Sequence, residues 1–197
     1  MKPILLTLVV IATLASAAVL PAKAQILYTQ VNVSIPVGES YNLDLNADGV
    51  PDFTLRSKLL QGYCQWGDEY VWSLTVIPAG GNDVVTSSGQ AGSNYASALP
   101  YGVAVNAGQN LYPSPSVMAD LNWGACGIGM VGEWLNLPNR YLGLQFQAAD
   151  GTTHYAWAKV STVAYVDQHE HLQASTLLMG FAYQATPGAG ITAGATQ

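Results

Sequence analysis

Alternation of apolar and polar residues with a period of two is the feature that most restricts what this chain can fold into. Side chains of a strand point alternately to opposite faces, so this period produces one apolar and one polar face. Such strands are typical of antiparallel sheets with one buried side. The pattern recurs at residues 31–37, 41–45, 53–59, 72–76, 101–105, 142–146 and 177–183.

The pattern predicts an all-β domain over residues 25–185. Many short strands separated by turn residues favour two packed antiparallel sheets, a β-sandwich of jelly-roll type, with a closed β-barrel as the alternative. The only helical structure we expect is a short turn near residues 116–122. Residues 106–140 interrupt the alternation and predict a long loop excursion. Residues 186–197 are rich in Gly, Ala, Thr and Pro, which predicts a flexible C-terminal tail.

The first 24 residues have the layout of a secretory signal peptide. Lys2 precedes an almost unbroken apolar run from Ile4 to Leu20, and Ala22-Lys23-Ala24 forms a small-x-small cleavage site. A retained membrane anchor is the competing interpretation, but the run is at the short limit of a membrane span. We therefore expect a secreted or periplasmic protein that leaves the membrane after cleavage.

Charge excludes two classes of partner. Residues 25–197 contain four basic and twelve acidic residues, so this part of the chain has a net charge of −8. An acidic chain with no basic cluster is unsuited to bind nucleic acid or an anionic membrane surface. The sequence leaves the oligomeric state open.

Two cysteines, Cys64 and Cys126, lie in the part predicted to be exported. Outside the cytosol, cysteines are usually oxidised, so we predict a disulfide between them. Two free buried thiols are the alternative. The sequence has no CxxC motif, which argues against a redox centre or a cysteine-rich zinc site.

The segment DLNADGVPD at 44–52 places oxygen-bearing side chains at alternate positions, followed by a glycine and one more aspartate. Calcium prefers six or more oxygen ligands, and this spacing matches the front of the DxDxDG calcium loop. The pattern predicts a Ca²⁺ site in a β-hairpin turn. Its ligands would be Asp44, Asn46, Asp48, Asp52 and the backbone carbonyl of Val50.

The predicted calcium loop departs from an EF-hand in two ways. Leu55 stands at loop position 12, where an EF-hand has a bidentate glutamate, and both flanks are strand-like. We therefore expect a weak structural site, with a Kd on the order of 10⁻⁴–10⁻³ M. The alternative is a turn without an ion, since Asn, Asp and Gly favour turns by themselves.

The segments YLGLQFQAADGTTHYAWAKVSTV at 141–163 and GFAYQATPGAGITAG at 180–194 resemble a group of secreted bacterial proteins, many of which end in a PEP-CTERM sorting tail. That group has a Y-G-W-A-R-like strand, which here carries Ala156 and Lys159 in place of Gly and Arg. Calcium-like segments such as 44–53 are common in it. The resemblance implies an exported β-sandwich and no particular activity. No arginine-flanked apolar helix follows the domain, so we expect a released or periplasmic product.

Two further groups of residues are candidates for binding a ligand. The segment Asp167-Gln-His-Glu-His171 is the only histidine cluster in the sequence. It could bind zinc or copper, but we favour the interpretation that it is a polar hairpin tip. Tyr155 and Trp157 share one strand face opposite Ala156 and Ala158. If the alanine face is buried, these rings are available to stack on sugars; otherwise they belong to the core, as aromatic residues usually do.

No catalytic motif stands out. The chain has no GxSxG, HExxH or phosphate-binding loop. Glycoside hydrolysis needs two carboxylates facing across a cleft, and nothing singles out a pair among Asp68, Glu69, Asp120 and Glu133. We therefore expect an exported, calcium-stabilised β-sandwich that acts as a non-enzymatic binding or matrix module, with an extracellular glycan as a candidate partner. The alternative is a secreted carbohydrate-active enzyme, a glycosidase or a lyase.

Overall fold

A computed structural model describes residues 25–88 and 94–197, so the predicted signal peptide lies outside the described residues. These two ranges contain fifteen strands and no helix, which confirms the all-β prediction. The strands are β1 (Ile26–Ile35), β2 (Ser40–Leu43), β3 (Phe53–Cys64), β4 (Gly67–Pro78), β5 (Asp83–Ser88), β6 (Asn94–Ala96), β7 (Ala98–Leu99), β8 (Ala104–Val105), β9 (Leu111–Tyr112), β10 (Ser116–Gly124), β11 (Gly129–Gly132), β12 (Arg140–Gln147), β13 (Thr153–Val166), β14 (Leu172–Gln184) and β15 (Ile191–Thr192).

Thirteen strands form one continuous sheet in the order β1-β14-β13-β12-β5-β6-β10-β4-β3-β2, with β7, β9 and β11 paired beside it. Strands β8 and β15 form a separate two-stranded sheet. The pairing is antiparallel except between β6 and β10, which are parallel at Tyr95 and Val117. The large sheet folds over so that its two halves face each other. This arrangement is compatible with both the sandwich and the barrel alternative.

The main core lies between the two halves of the large sheet. One apolar cluster contains Trp72 and Leu74 from β4 together with Leu142 and Leu144 from β12 and Leu178 from β14, all fully buried. The residues of β4 and β12 lie on the apolar faces of the alternating stretches. Leu178 lies opposite the face predicted for β14, because the register with β13 shifts beside it. Hydrophobic burial between the two faces is therefore the main source of stability.

A second, smaller core lies on the opposite face of β13. Tyr155 and Trp157 are buried there with Ile191 and Ala193. The Trp157 indole N–H donates a hydrogen bond to the Ala195 carbonyl at 3.1 Å. The prediction of a flexible tail at 186–197 is therefore wrong. Burying the large rings on this face of β13 removes apolar surface from water. The small residues of 186–197 let the backbone of that segment approach the rings closely.

Strand β10 replaces the helical turn predicted near residues 116–122. It pairs with β4 over almost its whole length and with β11 near its end. The register with β4 shifts between Val117 and Ala119, which marks a β-bulge. The extra residue breaks the period of two, and this is why sequence periodicity missed the strand.

Candidate functional site

The predicted calcium loop connects β2 to β3, two adjacent antiparallel strands whose ends pair at Leu43 and Phe53. The strand–loop–strand context is therefore as predicted. Gly49, the predicted turn residue, has φ of +87°, a backbone conformation that favours glycine.

Three side chains of this loop are held in place by hydrogen bonds. Asp44 Oδ2 accepts from the Gly49 amide at 2.8 Å, and Asp48 Oδ1 accepts from the Val50 amide at 2.8 Å. The Asn46 amide donates to Asp48 Oδ2 at 2.9 Å. The loop thus brings two carboxylates and one amide together on its exposed side.

Asp52 has a different position from the other acidic residues of the loop. Its side chain is buried, at 6% exposure, and its Oδ2 accepts a hydrogen bond from the Leu45 amide at 2.8 Å. Burial raises the pKa of Asp52 to about 6; the Leu45 hydrogen bond opposes this shift, while the negative charges of Asp44 and Asp48 add to it. The charges of Asp44 and Asp48 are therefore close enough to act on Asp52, which fixes the loop from its inner side.

Across residues 25–88 and 94–197, no group of three or more His, Cys, Asp or Glu side chains is arranged to hold a metal ion. In the loop, one of the three carboxylates turns inward to the backbone. Convergence of all five predicted ligands, including the Val50 carbonyl, stays a prediction.

The Asp167–His171 segment forms the tip of the β13–β14 hairpin, the arrangement favoured from the sequence. The Asp167 amide donates to the His171 carbonyl at 3.0 Å, and the Glu170 amide donates back to the Asp167 carbonyl. Asp167 Oδ1 accepts from the amides of His169 and His171, and these hydrogen bonds hold the pKa of Asp167 below its usual value. Its carboxylate is thus used to close the turn.

The structure decides two further sequence predictions. Cys64 and Cys126 form the predicted disulfide, with their Cα atoms 6.3 Å apart. Tyr155 and Trp157, the candidate stacking residues, are only 4% and 2% exposed, so their rings cannot stack on a ligand from solvent. The alanines opposite are buried as well, because β13 is covered on both faces.

An open groove of about 540 Å³ lies where the β3–β4 hairpin and β10 extend beyond the main core. We call it the Tyr70 groove. Tyr70 stacks on Trp123, with ring centroids 5.6 Å apart and planes inclined by 24°. Leu59 lies on the same face of the sheet. The remaining lining residues are Val37 from the β1–β2 turn and Glu170, His171 and Leu172 from the β13–β14 hairpin tip.

The aromatic surface continues beyond the groove. In the β3–β4 register Gln61 is opposite Tyr70, and Tyr63 is opposite Asp68. Tyr63 therefore lies on the same face of the hairpin as Tyr70, two residues farther along β3. Its side chain is 80% exposed. The period of two could not show that this hairpin extends beyond the core.

The four acidic residues considered as catalytic candidates do not meet in the Tyr70 groove. Glu69 accepts from Asn122, and Glu133 is hydrogen-bonded to Ser87 and to the Ala98 amide. Asp120 on β10 is opposite Ser73 on β4, and burial raises the pKa of the Asp120 carboxyl. Glu170 is the acidic residue that lines the groove.

Comparisons with known proteins add no assignment, because no protein-family model, curated protein or solved structure matches this chain. In the part of the chain that the structure describes, no helix has the length and apolarity needed to span a membrane. The fold and the site therefore define the protein as a disulfide-bonded all-β protein with an aromatic groove at one end.

Proposed function

We propose that this protein is an exported, non-enzymatic binding module that holds a saccharide chain in the Tyr70 groove. The observation that carries the proposal is the stacked Tyr70–Trp123 pair, which lines an open groove whose rim bears a carboxylate and an imidazole. The disulfide supports export, since such bonds persist in oxidising compartments. The resemblance of this chain to secreted bacterial proteins with a sorting tail is part of the same proposal.

The lining of the groove suits the chemistry of a sugar ring. A pyranose has apolar C–H faces that pack on aromatic rings, while its hydroxyl groups need polar partners. Tyr70 and Leu59 supply the apolar surface, and Trp123, which is buried at 6% exposure, supports the Tyr70 ring. Glu170 and His171 supply hydrogen-bonding groups. Binding sites for small ligands combine a mostly apolar lining with a few polar groups that set orientation.

The aromatic surface that continues beyond the groove could contact a second sugar unit. Successive residues on one face of a strand are separated by about 6.7 Å, twice the rise per residue. The row that contains Tyr63 therefore lies one such step beyond the row that contains Tyr70. An oligosaccharide extending along β3 would contact both rings.

Replacing Tyr70 with alanine should weaken polysaccharide binding by at least tenfold, because it removes the ring that a sugar would contact. The measurement is titration calorimetry of residues 25–197 with a panel of soluble polysaccharides. Tyr165→Ala is the matched control, because Tyr165 is an exposed tyrosine on β13, and it should leave the affinity unchanged.

Tyr70 also packs against the main core, so a second variant protects this test against misfolding. Glu170→Gln changes an exposed residue at the rim and should leave the fold intact. We expect it to weaken binding without lowering the melting temperature. If no polysaccharide binds to the unaltered protein, or if Tyr165→Ala weakens binding as much as Tyr70→Ala, the proposal fails.

The same samples test the alternative of a carbohydrate-active enzyme. Glycoside hydrolysis commonly uses two carboxylates that flank the scissile bond, whereas Glu170 is the carboxylate lining this groove. Shortened chains released from any bound polysaccharide would establish the enzyme and overturn the non-enzymatic proposal.

We also propose that the loop from Asp44 to Asp52 binds Ca²⁺ and thereby stabilises the β2–β3 hairpin. Asp44, Asn46 and Asp48 would supply side-chain oxygens, the Val50 carbonyl a backbone oxygen, and Asp52 the inner carboxylate. Like charges held this close oppose folding unless a cation offsets them. Burial is the main cause of the raised pKa of Asp52, and the charges of Asp44 and Asp48 raise it further.

Calcium should raise the melting temperature of the protein by a few degrees. A cation that binds only the folded state adds roughly 1.4 kcal/mol to the free energy of unfolding at about ten times its Kd. The measurement is a thermal melt in excess calcium and in chelator. Asp48→Ala should abolish the difference, while Asp150→Ala, in another aspartate-containing turn, should retain it.

Two results would contradict the calcium proposal. One is identical melting temperatures of the unaltered protein in the two buffers. The other is an undiminished shift in Asp48→Ala. Either would show that the loop is a turn held by its own hydrogen bonds.

A further inference from the structure

Exposed apolar side chains concentrate on two hairpins joined by the disulfide. The β3–β4 turn carries Trp66, at 70% exposure, and the β10–β11 turn carries Ile128, also at 70%. Met130 and Val131 on β11 are 63% and 43% exposed. We call these four residues the clamped tip. Adjacent residues of a strand point to opposite faces, so Met130 and Val131 expose apolar surface on both faces of β11. Large exposed apolar surface marks interaction sites on soluble proteins.

Strand β11 also presents an edge. Among the strands that the structure describes, it pairs only with β10. Proteins commonly protect such an edge with charged side chains or proline, because its free N–H and C=O groups can pair with another strand. The segment Gly127–Gly132 contains neither charge nor proline. The edge is thus open to strand addition.

We propose that β11 pairs with β11 of a second copy of this chain, giving a two-fold symmetric dimer through the clamped tip. A two-fold axis brings a strand against itself in antiparallel orientation, which is the pairing that β11 already makes with β10. Each copy supplies the same uncharged edge and the same apolar side chains. The interface is therefore complementary to itself without any other partner.

The apolar area fits a weak dimer. An accessible aromatic side chain contributes roughly 150–250 Å², so the four residues of the clamped tip together expose several hundred Å². A standard interface buries about 800 Å² on each partner, and smaller ones are weak or transient. We therefore expect a Kd on the order of 10⁻⁵ M.

The disulfide lowers the entropy cost of this association. It joins β3 to the β10–β11 turn across 62 residues of chain, so the two turns are ordered before a partner arrives. Gly132, with φ of +85°, ends β11, and a Cβ atom there would clash with the Met118 carbonyl. An edge that is already rigid loses less conformational freedom on binding.

Val131→Lys tests the proposal, and Val163→Lys is its control. Val163 is another half-exposed valine, at 49%, and it lies on β13 opposite Ser175 of β14. Sedimentation velocity over a concentration series should show dimers of the unaltered protein and of Val163→Lys. Val131→Lys should stay monomeric at the same concentrations, since a lysine on each copy would place like charges at the pairing edge.

Hydrogen exchange gives a second reading that a different dimer surface would not produce. On raising the protein concentration, amides of β11 should become protected, whereas those of β2, at an end of the large sheet, should not change. A monomer at all concentrations would overturn the proposal and leave a strand from a different protein as the occupant of the edge. A dimer that persists in Val131→Lys would overturn it as well. Neither result bears on the Tyr70 groove.

Discussion

Replacing both Cys64 and Cys126 with alanine should lower the free energy of unfolding by about 4 kcal/mol, because the disulfide closes a loop of 62 residues in the unfolded chain. Closing a loop of that length removes conformational entropy from the unfolded state, so its loss favours unfolding. The measurement is denaturant unfolding of residues 25–197 with and without the two cysteines.

Reduction provides the control for this prediction. A reducing agent should destabilise the unaltered protein by about the same amount and leave the double variant unchanged. Because the bridge lies at the overhanging end of the sheet, the folded variant should keep the main core and its near-ultraviolet spectrum. A variant as stable as the oxidised protein would show that the bridge constrains only the local geometry of the two turns.

Replacing Trp157 with alanine should lower the free energy of unfolding by about 3–5 kcal/mol, the usual loss for a large aromatic residue in a core. The side chain is 2% exposed, contacts Tyr28 and Tyr141 edge-on or tilted, and donates a hydrogen bond to Ala195. Its removal leaves a cavity under residues 186–197. The measurement is again denaturant unfolding.

Trp66→Ala is the matched control, because Trp66 is 70% exposed and its loss should change the free energy of unfolding by less than about 0.5 kcal/mol. In the Trp157→Ala protein, amides of residues 191–195 should also exchange faster with solvent, since the ring that holds them is gone. Equal stability of the two variants would mean that the second core contributes nothing to the fold.

The candidate site was only partly predictable from the sequence. The loop at 44–52 and the bridge between Cys64 and Cys126 follow from residue types and spacing, since both are short-range or pairwise signals. The Tyr70 groove combines residues from the β1–β2 turn, β3, β4, β10 and the β13–β14 tip. No spacing along the chain encodes that meeting, because it depends on how far one hairpin extends beyond the core.

Residue alternation by itself determined the all-β class and most of the main core, because a period of two leaves one apolar face that must be buried. The tertiary structure decided which strands are covered on both faces. Tyr155 and Trp157 are buried because residues 186–197 fold back over them, and β10 is a strand because its bulge is held between two neighbours. Local periodicity reports one face of one strand, whereas burial depends on every element that packs against it.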